Sequence, residues 1–282
     1  MPVDARRMVR KMRGGSQAHL LEAADEHFYV VKFQNNPQHR RILINEWISA
    51  AFLSFLGLST PEAAMIRVTD GFLNDNPDVY MQLGSQRFPP TLGWHFGSRF
   101  PGNPRRVAVY DFLPDALLAK VENLSQFLGV LAFDKWIGNA DARQAIFFRA
   151  RLQGDGGRWD RNPEEAPLRL GFIGQMMDNG YVFEGPHWRL TESPVQGLYF
   201  RPLVYRLVRG FSDFEPWLER IRNFPEEIVD QALKELPLAW LGEDREELER
   251  LLERLLARRK RVPELIEGCR KARTDPFPAW RS

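Results

Sequence analysis

A cluster of turn-forming residues at positions 101–104 (PGNP) separates two stretches of sequence with different hydrophobic patterns. Residues 13–99 contain several short apolar runs, which are typical of strands, and one segment with helical periodicity. From about residue 114 onward helical periodicity dominates, with one strand-rich stretch at 145–173. The order predicts an α+β chain with a β-rich part at residues 1–100 and a mainly helical part at residues 101–282.

The composition excludes several classes of protein. The 39 Lys and Arg residues nearly balance the 37 Asp and Glu residues, and 44% of the chain is hydrophobic. These values exclude intrinsic disorder, and they give no reason to expect direct binding of nucleic acid. Cys269 is the only cysteine, which excludes an intrachain disulfide framework. Because no export signal or bilayer-spanning segment is visible, we expect a cytoplasmic protein without a membrane partner.

The β-rich part is predicted to begin with a glycine turn and a hairpin, followed by one helix. The helix at 41–55 is indicated by apolar residues at helical spacing, and Gly57 ends it. A loop is expected at 71–77. The predicted strands occupy residues 19–22, 27–33, 64–68, 79–83 and 93–99.

The second part is predicted to place its strands between helices. Helices are expected at 115–121 and 124–136, and strands at 145–149 and 168–173, with a polar loop at 153–166. The segment 246–261 has leucines at spacings of three and four, which predicts a helix packed on the core.

Two features of the β-rich part can bind phosphate. The small residues Gly14, Gly15 and Ser16 let backbone amides approach an anion closely. Lys32 lies on a strand between apolar residues, so its charge must be exposed or paired with an acid. Glu46 in the following helix is a suitable partner, and such a pair can hold a phosphate-binding lysine. A flexible turn and a surface lysine are the alternative explanations.

Two acidic loops follow in the second part. Asp141 lies between a predicted helix and a strand, where a carboxylate can accept a hydroxyl proton. Asp178 follows an apolar strand and can ligate Mg²⁺. An Asx-type cap at Asp141 and an Asn-Gly turn after Asp178 are the alternatives. The full order of these features is that of a two-lobed phosphotransferase.

The residues that carry these features resemble the HipA-like kinase family, bacterial relatives of the protein-kinase and lipid-kinase superfamily. The likeness lies in residues 30–33 (VVKF), 133–149 (FDKWIGNADARQAIFFR) and 177–180 (MDNG). It implies a two-lobed protein-kinase-like fold, with a β-rich N-lobe and a mainly helical C-lobe. It also implies transfer of the γ-phosphate of ATP, with Mg²⁺, to an acceptor that we expect to be a Ser or Thr hydroxyl of a protein. Many members are toxins with a DNA-binding antitoxin, so an antitoxin-like partner is implied, although no residue of this chain identifies one.

The resemblance also assigns roles to individual residues. It makes Asp141 the catalytic aspartate, and we count Arg143, which stands where many members have histidine, among the catalytic residues. It makes Asp178 the main metal ligand, to which we add Asn139. The nucleotide-binding residues would be Gly14, Gly15, Ser16, Lys32, Glu46, Phe96 and Ser98, with residues 96–98 as the hinge that contacts adenine.

One position departs from the family pattern. Members usually have Asn five residues after the catalytic aspartate, and Ile146 stands there. A nucleotide-binding pseudokinase is therefore one alternative, and a partner-binding scaffold is another. For an active kinase we expect Lys32 to pair with Glu46, and Asp141 to converge with Asp178. Mutual repulsion should then raise the pKa of at least one of these aspartates when no metal is bound.

Overall fold

A computed structural model describes residues 2–152, 169–273 and 275–281. The strands are β1 (Pro2–Lys11), β2 (His19–Ala23), β3 (Phe28–Lys32), β4 (Ala63–Val68), β5 (Met81–Leu83), β6 (Gln86–Phe88), β7 (Gly93–Arg99), β8 (Val109–Tyr110), β9 (Gln144–Leu152) and β10 (Arg169–Met177). The helices are α1 (Arg41–Phe55), α2 (Asp70–Asp75), α3 (Asp115–Leu118), α4 (Gln126–Ile137), α5 (Trp217–Arg222), α6 (Glu226–Lys234), α7 (Leu238–Leu241), α8 (Arg245–Arg258) and α9 (Val262–Arg270). Within these ranges, no helix combines the length and apolar character needed to cross a bilayer.

Five strands close into a barrel in the order β1-β2-β3-β7-β4. β1 pairs antiparallel with β2 and parallel with β4, which closes the ring. Alternate side chains of each strand, including Val31 and Ile66, fill the interior. Gly97 is required there, because a Cβ at this position would lie 2.6 Å from Cγ1 of Ile66. The opposite faces of β3 and β7 therefore point out of the barrel, where Lys32 and Phe96 line a cavity.

The structure confirms the predicted hairpin and the helix at 41–55 but differs elsewhere. The basic N-terminus forms β1, although its mostly exposed side chains give no strand pattern; pairing with β2 and β4 decides its conformation. Residues 70–75 form α2 instead of a loop, because the Thr69 hydroxyl accepts the Phe72 N–H at 3.2 Å and caps the helix. The predicted polar loop at 153–166 lies outside the described residues.

The helical part packs around α4. Eleven of its twelve residues are buried. α4 ends at Gly138, whose φ of 68° gives a left-handed cap that glycine adopts without strain. The leucine stripe of α8 is buried in the same hydrophobic cluster, as expected for core packing. This cluster also includes the buried face of α1, so α1 packs on the helical part as well as on the barrel.

The N-terminus of α1 is tied to α8 by ion pairs. Arg41 Nη2 lies 2.7 Å from Asp244 Oδ1 and 2.5 Å from Glu247 Oε2, and Arg40 Nη2 lies 2.9 Å from Asp244 Oδ2. The Arg41 guanidinium also stacks over the Trp188 ring, 4.1 Å from its centroid. These contacts fix the helix that carries Glu46.

We predict that this ion-pair cluster makes the protein sensitive to acid. Hydrogen bonds from Arg41 and then Arg40 lower the pKa of Asp244 to about 2, from an ordinary value of 3.8. The stabilisation is therefore present above pH 4 and is lost as the pH falls from 4 toward 2. Asp244→Asn should lower the free energy of unfolding by about 1 kcal/mol at neutral pH and should leave it unchanged near pH 2. Urea unfolding at several pH values measures this, with exposed Asp230→Asn as the control; a constant difference between Asp244→Asn and wild type would contradict the prediction.

Candidate functional site

A cavity lies where the outward face of β3 and β7 meets α1 and the loop after β10. We call it the cleft. Its walls are formed by Met12, Arg13, Ser16, Ala18, Val30, Lys32, Glu46, Ala50, Thr60, Pro61, Phe96, Ser98, Met177, Asp178 and Asn179. A second cavity of about 600 Å³ adjoins it, with Thr60 in the walls of both. The volume of this second cavity, taken by itself, lies within the roughly 300–1,000 Å³ typical of small-molecule sites.

Lys32 joins three segments that are distant in the sequence. Its Nζ forms a short ion pair with Glu46 Oε1 and donates a hydrogen bond to Asp178 Oδ1 at 2.7 Å. The Lys32 and Glu46 side chains are buried, while the Asp178 side chain is 35% exposed. The predicted Lys32–Glu46 ion pair is thus confirmed, and Asp178 completes a cluster of one cation and two carboxylates.

The charges in this cluster stabilise one another. Burial disfavours the charge on Lys32, but the attraction of Glu46 and Asp178 outweighs burial and raises the pKa of Lys32 above its ordinary value. The charge of Lys32 in turn lowers the pKa of Asp178 despite burial, and hydrogen bonds from Lys32 and Gln144 lower it further. The expectation that repulsion would raise the pKa is wrong for Asp178, because the lysine is its nearest charged neighbour.

The geometry of β9 and β10 explains why two distant loops meet beside Lys32. The strands pair antiparallel from Gln144 opposite Met177 to Leu152 opposite Arg169. The loop that enters β9 and the loop that leaves β10 therefore lie at the same end of the hairpin. A hydrogen bond of 3.0 Å from the Ala140 N–H to the Tyr181 carbonyl joins them. The structure thus brings together the loops that carry Asp141 and Asp178.

The loop after β10 is held in an unusual backbone conformation. Asp178 has a φ of 59°, in the left-handed region that few residues other than glycine adopt. Glu46 Oε2 accepts the next backbone N–H, that of Asn179, at 3.1 Å. The buried Asn45 amide donates to the carbonyls of Gly180 and Val182 at 2.8 and 3.1 Å. Consecutive residues of α1 therefore fix both the lysine and the loop that presents Asp178.

The loop between α4 and β9 is built on a buried ion pair. Arg143 donates from Nε to Asp134 Oδ2 at 2.8 Å and from Nη2 to Asp134 Oδ1, and both side chains are completely buried. Burial opposes the charge of Arg143, but the Asp134 carboxylate keeps the pKa of Arg143 above its ordinary value. Arg143 Nη1 also donates to Asn179 Oδ1 at 2.8 Å and to the Met177 carbonyl at 3.0 Å. It thereby connects the two loops.

Two of the residues assigned from the sequence have different surroundings from those expected. Arg143 is enclosed by protein and cannot reach an acceptor in the cleft, so it suits a positioning role and not a catalytic one. Asn139 is buried. Its Nδ2 donates a hydrogen bond to Asp134 Oδ1 at 3.1 Å, and its Oδ1 accepts one from the Asp141 N–H at 3.2 Å. Its amide oxygen is occupied within the loop, which does not fit a metal ligand.

Asp141 itself lies at the surface of this loop. Its side chain is exposed, and its Oδ1 accepts the Ala142 N–H at 2.8 Å. The other carboxylate oxygen remains for a group that approaches from solvent. An Asx turn is instead formed by Asn139, whose Oδ1 accepts the N–H two residues on, that of Asp141. The contact of Asp141 with the next residue leaves its carboxylate accessible.

The glycine turn connects β1 to β2 at the edge of the cleft. The Gln17 N–H donates to the Gly14 carbonyl at 3.1 Å, and Gly14 has a φ of 119°. A Cβ on Gly15 would lie 2.8 Å from the Gln38 amide nitrogen. Ser16 lines the cleft with Lys32. The turn is thus beside the cluster, as the order of features predicted.

The predicted hinge at residues 96–98 lies inside a strand. Phe96 and Ser98 pair with β3 on one side and with β4 on the other, so their backbone groups face neighbouring strands. They cannot offer these groups to an adenine ring. Their side chains do line the cleft, and the chain leaves the barrel only after Arg99.

The oxygen donors of the cleft fit one hard cation held partly by phosphate. Both Glu46 oxygens are engaged, by Lys32 and by Asn179, whereas Asp178 is partly exposed. In the described ranges, no group of three or more His, Cys, Asp or Glu side chains forms a preassembled metal site. Mg²⁺ commonly uses one or two carboxylates together with substrate phosphates. Ile146, opposite Gln175 in the β9–β10 ladder, contributes no oxygen.

Several residues that build the site were not identified from the sequence. They are Asn45, Asp134 and Asn179, each buried and hydrogen-bonded to a loop of the site. Asp134 and Asn179 lie within the segments that carry the family resemblance. Asn45 is adjacent to Glu46, but no pattern in its neighbourhood marks it.

A family profile and solved protein structures match this chain. A profile described as HipA-like kinase matches residues 6–146. Two crystal structures of Golgi casein kinase are similar in fold, with TM-scores of 0.50 and 0.51 at 12% and 11% identity; the second has Mn/ADP bound. In both, 96% of this chain and 74% of the other chain are covered. At this identity the likeness shows the protein-kinase-like fold alone. No curated protein sequence matches the chain.

Proposed function

Because the chain belongs to the HipA-like kinase family, we propose that it is an ATP-dependent phosphotransferase whose reaction takes place in the cleft. One observation carries this proposal. Lys32, which is buried, bridges the buried Glu46 and the partly exposed Asp178, although the three residues come from separate parts of the chain. A lysine held by a helix glutamate, beside an aspartate that can bind a metal, is the arrangement that positions ATP phosphates in kinases.

Three residues of the cleft, together with Asp141 and the glycine turn beside it, then have defined tasks. When bound, ATP would supply the γ-phosphoryl group, and a divalent cation would offset the negative charge of its phosphates. Lys32 contacts phosphate oxygens, Glu46 keeps the Lys32 ammonium in place, and Asp178 holds the metal. Asp141 accepts the proton of the acceptor hydroxyl. The turn at Gly14 and Gly15 covers the phosphates with backbone amides.

The arrangement of the chain supports the same proposal. We assign residues 1–100 to a barrel lobe and residues 101–282 to a helical lobe, with the nucleotide between them. The adjoining cavity of about 600 Å³ gives room for the base and ribose. The fold neighbour with Mn/ADP bound supports the use of a nucleotide with a divalent cation.

The acceptor we propose is a Ser or Thr hydroxyl of a protein. The exposure of the Asp141 side chain supports a large acceptor, since a protein segment can reach it from solvent. Phosphoproteomes of cells with the wild-type chain and with Asp141→Asn should differ at the acceptor sites. An antitoxin-like partner and a cytoplasmic location stay predictions.

Asp141→Asn provides the test of the activity. Loss of a general base should lower ATP-dependent transfer by about 10²–10⁴-fold, while thermal stabilisation by ATP with Mg²⁺ or Mn²⁺ stays unchanged. Asp230→Asn, at an exposed position, is the matched control. Absence of any stabilisation by nucleotide in the wild type would contradict the proposal.

A nucleotide-binding pseudokinase is the second candidate, and Ile146 is the observation that favours it. An aliphatic side chain cannot replace an oxygen ligand of a hard cation. This candidate predicts stabilisation by ATP without transfer to any acceptor, including the protein itself. Measuring ATP binding and ATP consumption on the same sample distinguishes it from the active kinase.

We predict that Ile146→Asn improves the use of Mg²⁺. Residues 144 and 146 share one face of β9, and Gln144 pairs with Met177, the residue before Asp178. An amide oxygen at position 146 should lower the Mg²⁺ concentration for half-maximal activity about tenfold. Ile173→Asn, on β10 and farther from Asp178, is the matched control. An unchanged Mg²⁺ dependence in Ile146→Asn would show that position 146 does not reach the metal.

A further inference from the structure

A separate polar cavity lies between the end of α4, residues 192–196, and helices α8 and α9. Its walls include Lys135, Ser193, Arg258 and Gly268, none of which lines the cleft. Its volume is about 170 Å³, the liquid volume of about five or six water molecules at roughly 30 Å³ each. This is below the roughly 300 Å³ from which nucleotide-sized sites begin. The cavity therefore has room for a small ion.

Lys135 is a buried cation in this wall without an acidic partner. The residue is 3% exposed, and its Nζ donates to the carbonyls of Ser193 and Pro194 at 3.1 and 2.8 Å. In the part of the chain that the structure describes, no carboxylate lies within ion-pair distance of it. An ammonium has three N–H donors, so one remains. Burial lowers the pKa of Lys135, as expected for a charge that lacks its counter-ion.

Arg258 is a second buried cation in the same wall. It is 6% exposed. Its Nη1 donates to Glu192 Oε1 at 2.9 Å, and its Nη2 donates to the Lys135 carbonyl at 3.2 Å. Its Nε is buried, and within residues 2–152, 169–273 and 275–281 it has no hydrogen-bond partner. Because this N–H is out of reach of solvent, an anion in the cavity would interact with the charge of the Arg258 guanidinium and not with this donor.

The surrounding charges leave an excess of positive charge. Glu192 and Glu264 also line the cavity. Arg261 binds both of them, with Nη1 2.8 Å from Glu192 Oε1 and Nη2 3.0 Å from Glu264 Oε1. In the described part of the chain, the ion pairs at this wall join Arg258 and Arg261 to Glu192 and Glu264, and Lys135 takes part in none of them. One further negative charge would complete the group.

We propose that this cavity binds a small oxyanion of the phosphate type through Lys135 and Arg258. Such an anion accepts several hydrogen bonds at once, and charge-assisted bonds to cations are the stronger kind. The wall formed by residues 193–196 continues into Gly197, whose N–H donates to the Asp141 carbonyl at 3.1 Å. A bound anion would therefore fix the segment that packs on the Asp141 loop. The site does not depend on the proposed kinase activity.

Three variants test the site without altering Lys32, Asp141 or Asp178. Lys135→Met removes the unpaired cation. Gly268→Asp places a carboxylate at the cavity wall, and Gly268→Asn has nearly the same shape without the charge. A Cβ at position 268 would meet no described heavy atom within 4 Å beyond its chain neighbours and the backbone of its own helix, so both Gly268 variants are expected to fold. Exposed Lys120→Met is the control for loss of a lysine.

The measurement is the melting temperature in inorganic phosphate against chloride at equal ionic strength. For the wild type we expect a rise of roughly 3 °C at tenfold excess over Kd. Phosphate should raise the melting temperature of Lys120→Met as much as that of the wild type. It should leave the melting temperatures of Lys135→Met and Gly268→Asp unchanged. Gly268→Asn should respond more than Gly268→Asp. No rise in the wild type, or an equal rise in Gly268→Asp and in the wild type, would overturn the proposal even if Lys135→Met did not fold.

Discussion

Asp178→Asn should lower ATP-dependent phosphoryl transfer by on the order of 10³-fold or more while the protein stays folded. Among the carboxylates of the Lys32 cluster, Asp178 is the partly exposed one, since both Glu46 oxygens are bound within the protein. An asparagine has nearly the same shape but offers a neutral oxygen, which binds Mg²⁺ less strongly. Lys32 keeps Glu46 as its partner, so we expect the cluster to persist. Initial rates of ATP-dependent transfer, with circular dichroism to check folding, measure the effect.

The expected loss has a specific signature. Asp178→Asn should weaken the stabilisation by ATP with Mg²⁺ much more than the stabilisation by ATP alone, whereas Asp141→Asn should leave both unchanged. Asp230→Asn should behave like the wild type in each assay. Activity within tenfold of the wild type in Asp178→Asn would exclude the metal-binding role that we propose.

Arg143→Met should destabilise the protein by about 3–5 kcal/mol, the range found when one partner of a buried ion pair is removed. The variant leaves the carboxylate of Asp134 at a position with no exposure to solvent. It also removes the hydrogen bonds to Asn179 Oδ1 and to the Met177 carbonyl, which hold the loop carrying Asp178. Urea unfolding at neutral pH measures the loss of stability.

A double variant separates the lost charge pairing from the lost hydrogen bonds. Asp134→Asn with Arg143→Met removes both buried charges, so it should recover most of the stability lost in Arg143→Met. Activity should not recover with it, because the link between the two loops is still missing. A loss of unfolding free energy below about 1 kcal/mol in Arg143→Met would contradict this prediction. It would mean that Asp134 binds another partner or is readily protonated.

The elements that could be predicted from the sequence are those in which local pattern and tertiary packing agree. Helix α1 has the bounds predicted from its apolar spacing, and Gly138 ends α4 as its freedom at positive φ suggests. The Lys32–Glu46 pair was predictable because two charges among apolar neighbours need each other. By contrast, β1 consists mostly of exposed and charged residues, and only its pairing with β2 and β4 makes it a strand.

For the site, the residue types show which side chains are suited to the chemistry, but only the folded chain sets which of them are accessible. Arg143 and Asn139 lie in the same short segment as Asp141, yet burial directs both toward Asp134 and leaves Asp141 at the surface. Residue spacing does not encode this difference. It arises because Asp134 lies on the buried helix α4 and has no access to solvent. A buried carboxylate must be paired, so Asp134 binds the cation and the amide that the fold places next to it.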